Sequence, residues 1–187
     1  MDMMRQQVRP ETRIGTWILA GGTASNVIPE FGELEVTVRH TERDYLNGLS
    51  EQIKKIFEGA ALCTGTTVDI EFYGNPYDDM NQNHRGTLLI EDVMTDMGIE
   101  FKPGPADIGG SSDIGNVSYQ CAAFHPKLRL AGDDKVCHSK EFAAAMLEPT
   151  IEQTILDGAN IIGRTLLSLV ENPAVLEEIV AEFNASK

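Results

Sequence analysis

The sequence has few cysteines, few basic residues and no long apolar run, and each shortage argues against a class of protein. Its cysteines, Cys63, Cys121 and Cys137, are far apart and form no C-x-x-C pair, a pattern typical of reduced thiols in a cytoplasmic protein. Only 15 basic residues oppose 29 acidic ones, for a net charge of −14, so we expect neither nucleic acid nor an anionic membrane as a partner. No apolar run could span a bilayer, and residues 1–10 lack the apolar segment of a signal peptide.

The remaining composition is that of an ordinary globular protein. The 187 residues are 42% hydrophobic and 24% charged, which is enough for one large domain or two small ones. Residues 1–76 carry a net charge of −4 and residues 77–187 a net charge of −10, and a polar stretch, Pro76 to Asn83, follows the boundary. The composition predicts two parts, 1–76 and 77–187.

The first part is predicted to contain three strands and a helix. Residues 13–20 are rich in β-branched and aromatic side chains, and residues 34–39 alternate apolar with polar, as does a half-buried strand. A helical stripe covers residues 42–62, with Thr41 and Asp44 as a start signal, and residues 68–72 alternate as another strand. Strand, strand, helix, strand is the later part of a β-α-β-β-α-β unit.

The second part is predicted to be mainly helical. Helices are expected at residues 87–97 and 174–183, and a longer helical region at 139–169, whose continuity Pro149 interrupts or bends. A strand is expected at 117–124. The glycine-rich residues 103–116 between them are too irregular for a helix or strand and long enough to be a functional loop.

His138 is the strongest metal-ligand candidate among the four histidines. It lies between an acidic turn and the start of a helix, where a neutral imidazole is well placed to bind zinc. Asp113, Asp133 and Asp134 could complete an oxygen-rich set, or they could be solvated loop residues. His40 is expected at a helix start, His84 in solvent, and His125 in either a structural or a functional role.

Two further segments could bind a substrate. The backbone N–H groups and hydroxyls of Gly110, Ser111, Ser112 and Asp113 could hold a carboxylate or an oxyanion, or the segment could simply be a connection. It has neither the lysine of a phosphate-binding loop nor the G-x-S-x-G pattern of a serine hydrolase. Arg39, at a strand end, and Asn26, in a tight loop, could bind a carboxylate, or they could form a surface ion pair and an Asx-turn.

Taken in order, these segments resemble one known family over almost the whole chain. The sequence is similar to the co-catalytic zinc aminoacylase and carboxypeptidase-like metallohydrolases, particularly the amidohydrolase branch of aminobenzoyl-glutamate hydrolase and Xaa-Arg dipeptidases. The segments that carry the resemblance are Gly21 to Pro29 with Val38-Arg39, Gly59-Ala60-Ala61, Tyr73 to Tyr77, Gly109 to Ser118, His125-Pro126 and His138 to Phe142.

The resemblance implies an α/β protein with an α+β lid. Residues 1–76 would be the later part of a ferredoxin-like lid that forms a homodimer, and residues 77–187 would be the C-terminal part of an α/β zinc-peptidase catalytic domain. It also implies that His138 is a zinc ligand, that Asn26 and Arg39 bind substrate polar groups, often in the partner's site, and that Gly110 to Asp113 line the pocket.

The chain departs from the family in what it contains. The family's H-x-D motif, its Glu-Glu pair with the general base and its remaining ligand lie in an N-terminal half that has no counterpart here. The first strand also has Arg13-Ile14-Gly15-Thr16 where close relatives carry a histidine after Arg-Ile, and that histidine helps to polarise the scissile carbonyl. A truncated piece of a longer enzyme and a degenerate or split gene product are both consistent with these departures.

The sequence therefore predicts the C-terminal portion of a zinc-dependent amidohydrolase or dipeptidase. Its substrate would be an N-acyl amino acid or a dipeptide-like amide, and this chain alone would be inactive because the general base is absent. The alternative is a non-catalytic dimerisation or regulatory module derived from the same family.

Overall fold

The computed structural model describes residues 1–103, 110–130 and 135–186. The chain divides into two units, Met1–Asp79 and Met80–Lys187. The elements in chain order are α1 (Asp2–Arg5), β1 (Arg13–Ala20), β2 (Glu33–Arg39), α2 (Arg43–Thr64), α3 (His84–Asp96), α4 (Ile114–Ser118), α5 (Lys140–Ala145), α6 (Thr150–Glu171) and α7 (Pro173–Ala185). The mixed α/β class predicted from the sequence is confirmed.

The first unit is built on a hairpin of β1 and β2. The two strands are antiparallel, with Ile14 opposite Val38 and Ile18 opposite Leu34, and a bulge lies near Ala20. Directly opposed residues share a face of the sheet. Ile14 and Val38 are half-buried, whereas Ile18 is 67% exposed. One end of this face is therefore covered and the other end is open.

Helix α2 confirms the predicted amphipathic helix and extends it slightly. Leu49 and Ile53 are buried, and Gly65 ends the helix with a left-handed backbone, φ 66°. The predicted cap at Thr41 is wrong, because the helix begins after Glu42, whose side chain makes no capping hydrogen bond. Instead, the backbone N–H of Arg43 donates to Asp79 Oδ1 at 3.1 Å. A distant carboxylate thus takes the place of the local capping residue.

The predicted strand at residues 68–72 does not form in the described part of the first unit. Val68, Ile70 and Phe72 lie in an irregular segment, and Phe72 is 73% exposed. The two-stranded sheet leaves this segment without a ladder partner. Alternating side chains make a strand possible, but a neighbouring strand must supply the hydrogen bonds.

The core of the second unit lies between α3 and α6. Ile90, Val93 and Met94 of α3 pack with Ile161 of α6. Gly86 approaches the ring of Phe124 so closely that a Cβ atom there would lie 1.9 Å from Phe124 Cε1. Glycine is therefore required at this position by packing.

The start of α3 is held by α7. Asn83 accepts a hydrogen bond from the Gly86 N–H at 2.9 Å, and its amide donates to the Ile179 carbonyl at 2.9 Å. The Glu182 carboxylate accepts the N–H groups of His84 and Arg85 at 2.7 and 2.8 Å. Because helix N-terminal N–H groups lack partners within the helix, this pairing both caps α3 and attaches α7 to it.

Two further predictions for the second unit need correction. Residues 117–124 are not a strand: Val117 and Ser118 end α4, and the following residues are irregular. Ser118 is fully buried, and its hydroxyl accepts from the Asn81 N–H at 2.8 Å and donates to the Gly115 carbonyl, so the helical turn and the Asn81 segment use it. The helical region at 139–169 is divided near Pro149 into α5 and α6.

Among the described helices, none combines the length and the apolar character that crossing a membrane would need.

Candidate functional site

The loop between β1 and β2 holds Asn26 at the surface. Gly22 has φ 99°, and a Cβ atom there would lie 2.7 Å from Pro29 Cγ, so the two ends of the loop touch where only glycine fits. A turn within the loop is closed by the Val27 N–H donating to the Ala24 carbonyl at 3.3 Å. Asn26 is exposed. Its side chain can reach a ligand without rearrangement of the strands.

Arg39 ends β2 as an exposed residue directly opposite Arg13 of β1. Arg13 donates through Nη1 to the carbonyls of Pro10 and Thr12, at 2.8 and 2.9 Å. Within the described ranges, the Arg39 guanidinium has no hydrogen-bond or ion-pair partner. Two guanidinium groups on one face at one end of a hairpin form a positive site that suits a carboxylate.

The hairpin separates Asn26 from Arg39 within one chain. The loop of Asn26 precedes Glu33, whereas Arg39 lies at the far end of the same strand. Six residue steps of extended strand span about 20 Å. These two predicted substrate contacts therefore belong to opposite ends of the hairpin, and Arg13, which the sequence analysis did not propose as a ligand contact, is the nearer companion of Arg39. The strand register is the signal that identifies it.

The described part of the glycine-rich loop, Gly110 to Asp113, leads into α4. The Ser112 hydroxyl lies 3.4 Å from Asp113 Oδ1 and 3.5 Å from the Ile114 N–H, which donates to it. Gly110, Ser111 and Asp113 are exposed, and Ser112 is half-buried. Gly109 lies outside the described residues. The segment offers hydroxyl and backbone groups at the surface, but the Ser112 hydroxyl first contacts its own neighbours.

His138 has an unusual backbone. In the described part of the chain it is the one non-glycine residue with positive φ, at 68°. The next residue, Ser139, caps α5 by accepting the Phe142 N–H at 3.0 Å, and the Ser139 N–H donates to the Val136 carbonyl at 3.2 Å. A left-handed non-glycine residue costs roughly 1–3 kcal/mol, and such residues are concentrated at functional sites. The cap and the turn hold His138 exposed in this conformation.

A complete metal site is not assembled by the described residues. No cluster of three or more His, Cys, Asp or Glu side chains suited to a metal occurs among them. Asp133 and Asp134 lie outside the described residues, and Asp113 and Cys137 are exposed. The imidazole of His138 has the right chemistry for zinc, but zinc needs at least three protein ligands. The described residues do not provide that set, so no catalytic step is derived from it.

The other histidines have distinct surroundings. The His40 Nδ1 accepts the Glu42 N–H at 2.9 Å, and its ring lies 4.3 Å from that of Tyr45, as expected for a residue at a helix start. His84 is the first residue of α3 and is exposed. His125 is also exposed, in an irregular segment, and its surroundings among the described residues do not decide between a structural and a functional role.

Comparisons with known proteins identify relatives for nearly the whole chain. The sequence is 30% identical to the mouse Xaa-Arg dipeptidase over 186 residues and 28% identical to the human Xaa-Arg dipeptidase over 189 residues. Over 82 residues it is 30% identical to a Haemophilus influenzae homolog of one p-aminobenzoyl-glutamate hydrolase polypeptide. No protein-family model matches the chain.

The extent of these matches is unequal on the two sides. The mouse and human matches include 98% of this chain but 43% and 42% of those relatives, so the chain spans less than half of their length. The Haemophilus match includes 44% of this chain and 19% of that relative.

Proposed function

Because this chain belongs to the amidohydrolase and dipeptidase family of the Xaa-Arg dipeptidases and aminobenzoyl-glutamate hydrolase, we propose that it is the C-terminal portion of a zinc-dependent enzyme of that family. The match to a dipeptidase over 98% of the chain is the observation that carries this proposal. The enzyme would hydrolyse an amide bond in a dipeptide or an N-acyl amino acid, and the cytoplasm is its proposed compartment.

His138 is the proposed metal ligand contributed by this chain. It is exposed, it precedes a capped helix, and its left-handed backbone stores strain that a functional role would justify. When bound, zinc would supply a Lewis acid and an activated water. Its remaining ligands and the general base would come from the part of the family's polypeptide that this chain does not include.

Arg39 and Asn26 are the proposed substrate contacts, and Gly110 to Asp113 the proposed pocket lining. The position of the Arg39 guanidinium beside Arg13 supports recognition of a free carboxylate, as in a dipeptide. Asn26 lies at the other end of the hairpin, so we propose that one of these two residues serves the site of a second copy. Formation of a homodimer through the hairpin would allow this arrangement.

The second candidate is a non-catalytic dimerisation or regulatory module. The exposed end of the hairpin, where Trp17 is 65% and Ile18 67% exposed, favours pairing with another chain. The mass in solution and a zinc titration distinguish the candidates, because the module would dimerise without any contribution from His138 to metal binding.

The experiment uses a fusion protein: the mouse Xaa-Arg dipeptidase with its matched segment replaced by these 187 residues. We expect His138→Ala to lower its zinc content and to reduce kcat/KM by at least roughly 100-fold, on a dipeptide ending in arginine or on p-aminobenzoyl-glutamate. His125→Ala is the matched control, another exposed histidine in the same unit, and should leave both quantities unchanged. Unchanged zinc content and activity in His138→Ala would disprove the ligand assignment.

A further inference from the structure

Helix α6 is apolar on far more of its circumference than its own unit covers. Ile151, Ile161 and Thr165 face the core and are buried. A second set of large apolar side chains lies beside this buried face and is at least half exposed. We call this set the apolar arc; its members are Ile155, Leu156, Ile162, Leu166, Leu167 and Val170.

The arc is continuous along and around the helix. At 3.6 residues per turn, its members cover about 140° of the circumference and about 22 Å of the axis. Ala159 and Gly163 lie within it, so the middle of the arc is formed by small residues that let another backbone approach closely. The exposed fractions of Ile155, Ile162, Leu166 and Val170 are 64%, 62%, 59% and 78%.

The polar residues of α6 occupy a narrow strip on the remaining side, between the arc and the buried face. Gln153, Asp157, Asn160 and Arg164 lie there, and Glu152 is the one charged residue inside the arc, at its N-terminal end. A helix exposed on one side at a protein surface normally has a polar face about as wide as its apolar face. A helix that is apolar on all but a narrow strip is typical of one buried between two layers.

The depression at the turn between α5 and α6 extends this surface. It is lined by Met146, Leu147 and Pro149 together with Ile155 and Leu156 of the arc. Leu147 is 89% exposed. The apolar surface therefore continues beyond the helix onto the preceding turn.

We propose that the apolar arc is the docking surface for an apolar face of the part of the family's polypeptide that lies outside the matched segment. Relatives match 98% of this chain, yet the match covers 43% of the mouse protein, so in that relative this segment is part of a polypeptide more than twice as long. That additional part supplies a second layer, and the two-sided apolar pattern of α6 requires one.

A second copy of this chain is the less suitable occupant. Stable protein interfaces bury about 800 Å² on each partner, which a single helix stripe does not reach. Residues 77–187 also carry a net charge of −10, so two copies repel each other. This inference rests on the proposed membership in a longer enzyme, but its test does not depend on catalysis.

Three successive residues of α6 provide the test, because each lies on a different side of the helix. Asn160→Cys places a thiol on the polar strip, Ile161→Cys on the buried core face and Ile162→Cys on the arc. Maleimide labelling is followed by peptide mass spectrometry in the 187-residue chain and in the fusion protein. Arg164→Cys, Thr165→Cys and Leu166→Cys repeat the same three positions one turn later.

We expect Asn160→Cys to react fast and Ile161→Cys slowly in both proteins. Ile162→Cys should react fast in the chain alone and at least tenfold more slowly in the fusion protein. Equal rates for Ile162→Cys and Asn160→Cys in a fusion protein with slow Ile161→Cys would overturn the proposal. So would protection of Ile162→Cys in the chain alone that grows with protein concentration, since that shows a second copy on the arc.

The two proposals can fail separately. Slow labelling of Ile162→Cys in a fusion protein without hydrolase activity supports the interface and contradicts the proposed function. Fast labelling of Ile162→Cys in an active fusion protein contradicts the interface alone.

Discussion

Among single residues, the two ends of the candidate site differ in how they are held. His138 is fixed by its neighbours, with the Ser139 cap on one side and a turn to Val136 on the other. Arg39 is held by the strand, and its guanidinium extends from a position opposite Arg13. A carboxylate could pair with Arg39 without breaking a bond to any described residue, so Arg39 is ready to bind while His138 is ready to coordinate.

The position of Arg39 gives a prediction on substrate selection. In the fusion protein we expect Arg39→Ala to raise KM roughly 10- to 100-fold for a dipeptide with a free carboxylate, because a hydrogen bond to a charged group contributes about 1.5–3 kcal/mol. The same dipeptide with its carboxylate amidated should be affected much less. Steady-state kinetics on the two substrates measure the difference.

Arg164→Ala serves as the matched control, since Arg164 is an exposed arginine on the polar strip of α6 and its removal is expected to leave both KM values unchanged. Equal losses on the acid and amide substrates in Arg39→Ala would mean that Arg39 acts on the fold or the dimer and does not bind a carboxylate.

Among the secondary-structure elements, the second unit depends on how α7 closes the start of α3. Asn83 is buried and makes two bonds, one to the first turn of α3 and one to the Ile179 carbonyl. The Glu182 carboxylate takes two more N–H groups of the same turn. Capping and helix packing are therefore one interaction here.

This dual role predicts a large stability effect. Asn83→Ala should lower the free energy of unfolding by about 2–4 kcal/mol, because it removes an N-cap and deprives the Ile179 carbonyl of a buried partner. Urea unfolding of the 187-residue chain, followed by circular dichroism, measures the change. Ser139→Ala removes a cap that joins no second helix, and should cost only about 1 kcal/mol. Equal losses in the two variants would show that the Asn83 bond to α7 contributes nothing.

Helix α6 shows the opposite situation, an element whose pattern exceeds what its unit uses. Full burial of a large aliphatic side chain stabilises a fold by about 1.5–3 kcal/mol. The six members of the apolar arc forgo most of that contribution in this chain. The same helix therefore both completes the core with Ile161 and leaves a second apolar surface open for the proposed docking.

As a whole, the chain has the family's sequence over 98% of its length but less than half of a relative's length. The described residues hold no complete ligand cluster, and His138 is one donor where zinc needs several. We therefore propose that hydrolysis is a property of a longer polypeptide or of a larger assembly.

The corresponding prediction is that the purified 187-residue chain, saturated with zinc, hydrolyses neither a dipeptide ending in arginine nor p-aminobenzoyl-glutamate above the rate of free zinc. Product formation by chromatography gives the rate, and the fusion protein serves as the positive control. Zinc-dependent turnover by the chain alone, abolished by His138→Ala, would contradict the prediction and would require ligands within this chain.

Local patterns succeeded where an element depends on its own residues. The alternation of Leu34, Val36 and Val38 identified β2, and the helical stripe through Leu49 and Ile53 identified α2. Both signals are complete within a few turns or strand steps, because each records which side of one element is apolar. The motif order likewise identified the family, which the relatives confirm.

Local runs of residues were thus sufficient for the main helices, the hairpin strands, the α/β class and the family. They were not sufficient for residues 68–72 and 117–124, since a strand forms only beside a partner and the described residues offer none there. Nor did they place Arg13 opposite Arg39, or Asn26 at the far end of the hairpin. Those outcomes depend on pairing register and on neighbouring layers, which are properties of the folded chain and of no single segment in it.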